Sequence, residues 1–296
     1  MQIDCAAITT QQRQYWLQSV IAPRPVALVS TIDGRGNTNL APFSFFNLFS
    51  ADPPVVIFSP CRSLRTGEQK DTLLNLLEVP EAVINIVDES MVQQVNLCSS
   101  NYARGISEFV KAGFTEEPAR HVKPPMVRES KVKLECAVME IKSLGKNGGA
   151  GNLVICEVLH IHIHGGVLDA GGRLDPRRLR PVARLGADWY TSVAEENLFT
   201  VEKPSTAGIG MDVLPKHIRQ SKVLTGNHLA RLATVAVLPQ LPERCTDERL
   251  GALHAYFKGR DKLEKIERYA MELIEEGRVE EAWQALLSAH AHNLVG

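Results

Sequence analysis

The chain has 296 residues, of which 44% are hydrophobic and 23% charged, and its formal net charge at pH 7 is -1. This composition supports a folded core and excludes a disordered chain, and the near-neutral charge excludes a general nucleic-acid binder, which needs a basic face to neutralise phosphates. No stretch is long and apolar enough to span a bilayer, and residues 1–10 lack the basic and apolar regions of a secretory leader. We therefore expect a cytoplasmic protein that contacts neither nucleic acid nor membrane.

The first predicted element is a short helix. Thr10 precedes Gln11 and the residues up to Leu17, a pattern typical of a helix with a threonine cap. Pro23 and Pro25 follow and end the helix, because a proline has no backbone N–H to donate.

Runs of β-branched and apolar residues bounded by Gly, Pro, Asn or Asp then predict strands over 26–31, 37–47, 55–59, 82–87, 131–143 and 152–164. Glycine-containing turns at 33–36 and 146–151 join two pairs of these strands as hairpins. Helical patterns lie between them at 71–77, 91–97 and 105–112. Hairpins without a sustained alternation of strands and helices favour a closed or nearly closed antiparallel barrel over a doubly wound nucleotide fold.

The pattern changes to helical beyond Val201. A linker containing Gly and Pro over 205–215 leads to a helix over 262–276, whose apolar residues fall on one stripe, and to another helix over 279–290. Gly277 is the expected C-terminal cap of the first of these two helices. We therefore predict a domain over 1–200 and a helical extension over 201–296.

The functional signal lies between Arg24 and Asn75. It consists of RPVALVST at 24–31, NLAPFSFFN at 39–47 and RTGEQKDT at 65–72, followed by EFVKAG at 108–113, LEC at 134–136, PVARLG at 181–186 and Trp189-Tyr190. In this order and spacing, over about 20–192, the chain closely resembles the flavin reductase-like family with the FMN-binding split barrel.

The resemblance implies a mainly β fold, a Greek-key antiparallel split β-barrel with peripheral helices, to which the C-terminal helical extension is added. It further implies an NAD(P)H:flavin oxidoreductase that binds FMN and takes hydride from NAD(P)H, a transient electron donor. A homodimer is implied, with a flavin-dependent monooxygenase or another electron acceptor as the partner. Because the cofactor carries the hydride chemistry, no catalytic side chain is required.

The expected phosphate site is at 70–72. Lys70, Asp71 and Thr72 open a helix, where free N–H groups and the positive end of the helix dipole suit an anion. Arg65, Thr66 and Ser59 are close enough in sequence to complete the site. The alternative is that Asp71 only caps the helix and that Lys70 is solvated.

The expected site for the isoalloxazine ring is at 41–47. Pro42 removes a ladder donor and indicates a sheet edge or bulge, where Ser44 and Asn47 can direct polar groups at the ring. The alternative is that the phenylalanines belong to the core, at least Phe43 or Phe45. Together with the resemblance, these arguments give the candidate FMN-binding residues Thr31, Asn39, Ala41, Pro42, Ser44, Phe45, Phe46, Asn47, Ser59, Arg65, Thr66, Lys70, Asp71, Thr72 and Arg184.

Three further features leave alternatives open. Arg184 belongs to a motif that lies near the flavin in the family, and a surface ion pair is its alternative role. His160, His162 and His164 share one face of a strand, a spacing that suits zinc, but with no Cys or acidic partner evident we expect no metal. The six cysteines form no C-x-x-C pair and are expected to be buried free thiols.

Two other functions remain open. A non-catalytic FMN carrier or sensor would bind flavin without oxidising NAD(P)H, and an interaction protein would use its C-terminal helices to bind a partner. The chain lacks a G-x-G-x-x-G dinucleotide fingerprint after a strand, so NAD(P)H is expected to dock transiently over the flavin.

Overall fold

The computed structural model describes residues 1–201, 203, 206–241 and 247–291. The chain forms two compact units, an N-terminal unit, Met1–Phe199, and a C-terminal unit, Thr200–Gly296. Cys245 and Ser205, the first residue of the predicted linker, lie outside the described residues. Over the described residues, none of the helices combines the length and apolar character needed to cross a membrane.

The N-terminal unit is built mainly from antiparallel strands. They are β1 (Arg24–Pro25), β2 (Ala27–Ile32), β3 (Thr38–Phe43), β4 (Phe46–Ala51), β5 (Pro54–Phe58), β6 (Glu81–Ile86), β7 (Glu116–Glu117), β8 (Met126–Val127), β9 (Val132–Ser143), β10 (Asn152–Ile163), β11 (Val182–Arg184) and β12 (Tyr190–Ser192). The main sheet has seven strands in the order β3-β2-β6-β9-β10-β5-β4, and β1-β11-β12 and β7-β8 form small sheets. This arrangement confirms the predicted antiparallel, β-rich fold.

Five helices accompany the strands of this unit. They are α1 (Thr10–Val20), α2 (Asp71–Glu78), α3 (Val92–Leu97), α4 (Glu108–Ala112) and α5 (Pro176–Leu179). The predicted cap of α1 is one residue off. Thr9, not Thr10, accepts from the backbone N–H of Gln12 and forms a capping box with it, because the side chain of Gln12 in turn accepts from the backbone of Thr9.

The predicted strand 37–47 is two strands. The chain leaves β3 after Phe43, passes through Ser44 and Phe45, and starts β4 at Phe46. The reason is topological, since β3 and β4 are the two edges of the seven-stranded sheet and one straight strand cannot occupy both. Pro42 therefore lies on an edge strand, as its missing N–H predicts.

Two apolar cores flank the seven-stranded sheet. One contains Val29, Phe58 and Ile84 with Leu73 and Leu76 of α2. The other packs residues of β2 and β3 against α3 and α4. The amphipathic pattern of α2 thus fixes that helix on the sheet and holds its first turn at the end of β3.

The C-terminal unit is helical in its described residues. Its helices are α6 (Lys216–Arg219), α7 (Gly226–Leu232), α8 (Glu248–Tyr256), α9 (Gly259–Glu275) and α10 (Val279–Ala291). The predicted stripe of α9 is buried except for Leu263, which is partly buried. Trp283 of α10 is fully buried and donates its indole N–H to the Leu232 carbonyl at 3.0 Å. Gly277 follows α9 with a φ of 86°, the left-handed conformation expected of a terminating glycine.

The cysteines differ in exposure. All five described cysteines are free, and Cys98, Cys136 and Cys156 are buried as predicted. Cys61 is partly buried, and the prediction is wrong for Cys5, which is exposed near the N-terminus.

Candidate functional site

A cleft of about 800 Å³ opens beside α2. Its walls are β3, the segment 62–72, the segment 98–102 and the side chains of Arg104 and Glu108. We call it the polar cleft. The sequence-predicted residues that it brings together are Asn39, Ala41, Pro42, Arg65, Thr66, Lys70, Asp71 and Thr72.

Four basic side chains line the polar cleft, together with three acidic ones, Glu68, Asp71 and Glu108. Arg65 is exposed and Lys70 is partly exposed, and neither forms an ion pair within the described part of the chain. Arg62 also lines the cleft and donates from Nη1 to the Gly67 carbonyl at 3.1 Å. Its Nε is buried and has no hydrogen-bond partner among the described residues. Arg104, by contrast, is paired with Glu78 at 3.0 Å.

The first turn of α2 also lines the polar cleft. Lys70 is the N-cap residue, and its side chain makes no capping hydrogen bond. The Lys70 carbonyl accepts from Leu73 and Leu74, but within the described residues the backbone N–H groups of Asp71 and Thr72 have no acceptor. Asp71 therefore does not cap the helix, and two N–H donors remain for an anion.

A buried hydrogen-bond network supports the floor of the polar cleft. Thr72 Oγ1 donates to Asn39 Oδ1 at 2.8 Å, and Asn39 Nδ2 donates to Glu108 Oε2 at 3.0 Å. The same Glu108 oxygen accepts from the Leu40 N–H at 2.8 Å. Since the single hydroxyl proton of Thr72 is used by Asn39, this side chain holds the site in place and has no proton left to donate to an anion.

The protonation states of two buried groups follow from their surroundings. Burial raises the pKa of Glu108, an effect that the hydrogen bond from Leu40 offsets in part and the charge of Asp71 reinforces. Burial, with the charge of Glu108, raises the pKa of Cys98 to about 12. Cys98 is therefore a thiol at neutral pH, and it is not an activated nucleophile.

Two predicted residues are buried behind the cleft. Thr31 is fully buried and accepts from Asn75 Nδ2 at 3.2 Å, with its own Oγ1 3.4 Å from Asn39 Oδ1. Ser59 is also buried and donates its backbone N–H to the Phe45 carbonyl at 2.9 Å. Neither side chain lines the polar cleft.

Residues 44–47, which connect β3 to β4 and begin β4, do not line the polar cleft. Ser44 is partly exposed, Phe46 packs against the barrel core, and the Asn47 side chain accepts from the Leu48 N–H at 2.8 Å. Phe45 is exposed and lines a second cleft of about 530 Å³ between α1 and the turn 145–150, which we call the apolar cleft. The core alternative is confirmed for Phe43, which is buried against Phe58.

Arg184 lies in neither cleft. Its guanidinium stacks on the ring of Tyr190 at 4.6 Å, donates to the Tyr190 hydroxyl at 2.8 Å and donates to the Ala187 carbonyl at 2.7 Å. No acidic side chain pairs with it in the described part of the chain, so the surface ion pair does not form. In the β1–β11 ladder it lies opposite Arg24.

The sequence model of the family described as flavin reductase like domain matches residues 20–182. The chain belongs to this flavin reductase-like family. The nitrilotriacetate monooxygenase component B from Bacillus cereus is 31% identical, has a TM-score of 0.63, and covers 68% of this chain and 98% of its own. The match to the family ends before the C-terminal unit.

Two more solved structures are similar. The 2-nitrobenzoate 2-nitroreductase from Pseudomonas fluorescens is 27% identical with a TM-score of 0.61, covering 68% of this chain and 96% of its own. A protein from Shewanella frigidimarina assigned as a flavin reductase with a split barrel domain is 26% identical with a TM-score of 0.59, covering 69% and 99%. The seven-stranded sheet is thus the flavin reductase split barrel, with the C-terminal helices added to it.

The histidines of β10 have an acidic partner that the sequence did not reveal. His162 Nε2 lies 2.6 Å from Glu135 Oε1, the His160 ring meets the His162 ring edge-on, and the His121 ring packs against His160. The expectation that no acid is positioned there is therefore wrong. Among the described residues, however, no group of three or more His, Cys, Asp or Glu side chains is arranged to hold a metal ion.

Arg62 and Glu108 are among the residues of the polar cleft that sequence reasoning missed. Glu108 stood within the family motif at 108–113, but a buried acid next to β3 could be found only from the pairing of distant segments. Arg62 had a local signal, since it lies between Ser59 and Arg65 in the expected phosphate segment.

Proposed function

We propose that this flavin reductase-like chain binds FMN in the polar cleft and transfers hydride from NADH or NADPH to flavin. The observation that carries the proposal is that Arg65 and Lys70, which have no ion-pair partner among the described residues, line the same cleft as the uncapped start of α2, on a chain whose residues 20–182 match the family. The volume of about 800 Å³ lies within the range of about 300–1,000 Å³ that is usual for small-molecule sites.

The basic side chains of the cleft support binding of the FMN phosphate. Arg65 and Lys70 supply charge, the N–H groups of Asp71 and Thr72 supply donors, and the unpartnered Nε of Arg62 gains an acceptor. The isoalloxazine ring would lie toward Ala41 and Pro42, where the edge strand β3 leaves backbone groups unpaired by a further strand.

Bound FMN would supply the redox chemistry, since it accepts hydride from a nicotinamide without help from a protein acid or nucleophile. The side chains of the cleft then have only to bind and orient. The Glu108–Asn39–Thr72 network serves that purpose, because it fixes the first turn of α2 against β3.

We further propose a homodimer that acts in the cytoplasm and delivers electrons to a flavin-dependent monooxygenase. The support for such a partner is that the Bacillus cereus neighbour is a monooxygenase component. In this proposal residues 1–200 form the flavin domain and residues 201–296 an extension of it.

Steady-state oxidation of NADH and NADPH, measured with and without added FMN, tests the function. A flavin reductase oxidises one or both at a rate that rises with FMN. Uptake of FMN without oxidation of either nucleotide would contradict the reductase and indicate a carrier or sensor, and failure to take up FMN would contradict both.

A further inference from the structure

The apolar cleft lies next to the polar cleft along one loop. Cys61 lines the apolar cleft, whereas the next two residues, Arg62 and Ser63, line the polar cleft. The loop is fixed between them, because the Arg62 N–H donates to the Ala150 carbonyl at 2.9 Å and the Gly149 N–H donates to the Arg62 carbonyl at 3.0 Å. The two clefts thus share this loop as a part of their walls.

The charges at the apolar cleft are all of one sign. Its charged side chains are Arg13, Arg24 and Lys146, and within the described residues no Asp or Glu lines it. A cleft whose charged side chains are all cations attracts an anion, and the low-dielectric apolar walls strengthen that attraction.

Arg24 is the buried member of these three cations. It is 7% exposed and donates to the carbonyls of Gln18, Ile21 and Leu185, and no carboxylate pairs with it in the described part of the chain. Its Nε has no hydrogen-bond partner there. Burial and the charge of Arg184 lower its pKa, which shows that its surroundings disfavour a cation, but an arginine remains charged at neutral pH.

The wall of the apolar cleft also contains large apolar side chains. Leu17 of α1, Ile21 directly after α1 and the ring of Phe45 line the cleft, and all three are more than one-third exposed. Aromatic side chains such as Phe45 favour stacked or edge contacts with another ring. A ligand that complements both the apolar side chains and the positive charge of the cleft therefore has an aromatic ring and a negatively charged group.

We propose that the apolar cleft binds a small planar aromatic carboxylate, with its ring between Leu17 and Phe45 and its carboxylate toward Lys146 and the buried charge of Arg24. Binding in this cleft does not depend on FMN. A role for the ligand as second substrate of the reductase, in contrast, rests on the proposed function.

Calorimetric titration of the full-length protein with 1-naphthoate and with the uncharged 1-naphthalenemethanol tests this proposal. Naphthoate is expected to bind at least about 10-fold more tightly, because only it offsets the positive charge. Leu17→Glu places an acid in the cleft and is expected to weaken naphthoate binding by at least about 10-fold. Leu97→Glu on α3 is the matched control, since Leu17 is 44% and Leu97 43% exposed and Leu97 lines neither cleft.

A second variant pair removes a cation instead. Lys146→Gln is expected to weaken naphthoate binding by about 3- to 5-fold, as for one partly solvated charge, whereas Lys142→Gln on β9 leaves it unchanged. All titrations are repeated with saturating FMN, and naphthoate affinity is expected to stay the same.

Four results would overturn the proposal. They are equal binding of the charged and uncharged probes, equal effects of Leu17→Glu and Leu97→Glu, displacement of naphthoate by FMN, and loss of binding at high protein concentration. The third result would make the cleft part of the flavin site, and the fourth would mean that a second copy of the chain fills it. Because the first titrations contain no FMN, a protein that fails to bind FMN can still confirm or contradict this site.

Discussion

Two buried glutamates in the N-terminal unit show how differently one residue type is used. Glu135 is fully buried and accepts from His162 and from the backbone N–H groups of Arg120, His121 and Val122. Burial alone would raise its pKa, but these hydrogen bonds hold the pKa below its ordinary value. Glu108 is nearly as buried, but it accepts through a single oxygen, and its pKa is raised.

The difference separates a structural carboxylate from one at a ligand site. The hydrogen bonds to Glu135 offset the cost of burying its charge, and they hold the segment 120–122 on the sheet. The hydrogen bonds to Glu108 offset the cost of burying its charge only in part. Glu108 also lines a cleft together with a second acid, Asp71. Under-compensated buried charge is typical of sites that are completed by a ligand.

The largest expected effect is on stability at Glu135. Glu135→Ala leaves three backbone N–H groups and His162 without their acceptor, and we expect it to lower the free energy of unfolding by about 3–5 kcal/mol. Urea denaturation followed by circular dichroism measures this. Glu129→Ala is a milder control, since exposed Glu129 accepts from one backbone N–H among the described residues, that of Thr115. A cost below that of the control would contradict the structural role of Glu135.

The next prediction concerns the pH dependence of stability, in which the two glutamates have opposite signs. The folded pKa of Glu135 is lowered, so its contribution is present above the unfolded pKa of about 4.3 and is lost as pH falls through the folded value. The folded pKa of Glu108 is raised, so stability falls as pH rises from the unfolded value through the folded one.

Urea midpoints over a pH series, for the parent protein and for Glu108→Gln, isolate the second effect. The glutamine oxygen can still accept from both Leu40 and Asn39, so we expect the variant to gain stability over the parent as pH rises. A constant difference between the two proteins at every pH would contradict the raised pKa.

The smallest expected effect is at Thr72. Thr72→Val removes the donor to Asn39, and we expect a loss of about 1 kcal/mol in the free energy of unfolding, whereas Thr72→Ser, which keeps the hydroxyl, loses less. If both variants lose the same amount, the hydroxyl does not hold the network together.

The features that could be predicted from the sequence are those that depend on a local residue pattern. The strands of the barrel, α2 and the start of that helix at 70–72 followed from periodicity and from the family motifs, and the stripe of α9 followed from its spacing. The polar cleft therefore holds eight predicted residues, from Asn39 of β3 to Thr72 of α2.

What the sequence missed depends on contacts between distant segments. The partnership of His162 with Glu135 exists only because β9 and β10 pair, and that of Asn39 with Glu108 spans 69 residues. The chain breaks between β3 and β4 because these two strands lie at opposite edges of the sheet. The residue pattern of the segment 37–47 does not indicate such a break. Local pattern cannot supply any of these.

The central claim is that the cations at the start of α2 bind a phosphate, and comparison of FMN with riboflavin tests it most directly, because the two ligands differ only by that phosphate. We expect the protein to bind FMN about 100-fold more tightly than riboflavin, and Arg65→Ala/Lys70→Ala to remove most of this difference without changing riboflavin affinity. Lys123→Ala/Lys142→Ala, at exposed cations outside both clefts, should preserve the difference. Equal affinities for FMN and riboflavin in the parent protein, or an FMN preference that survives the loss of Arg65 and Lys70, would contradict the account.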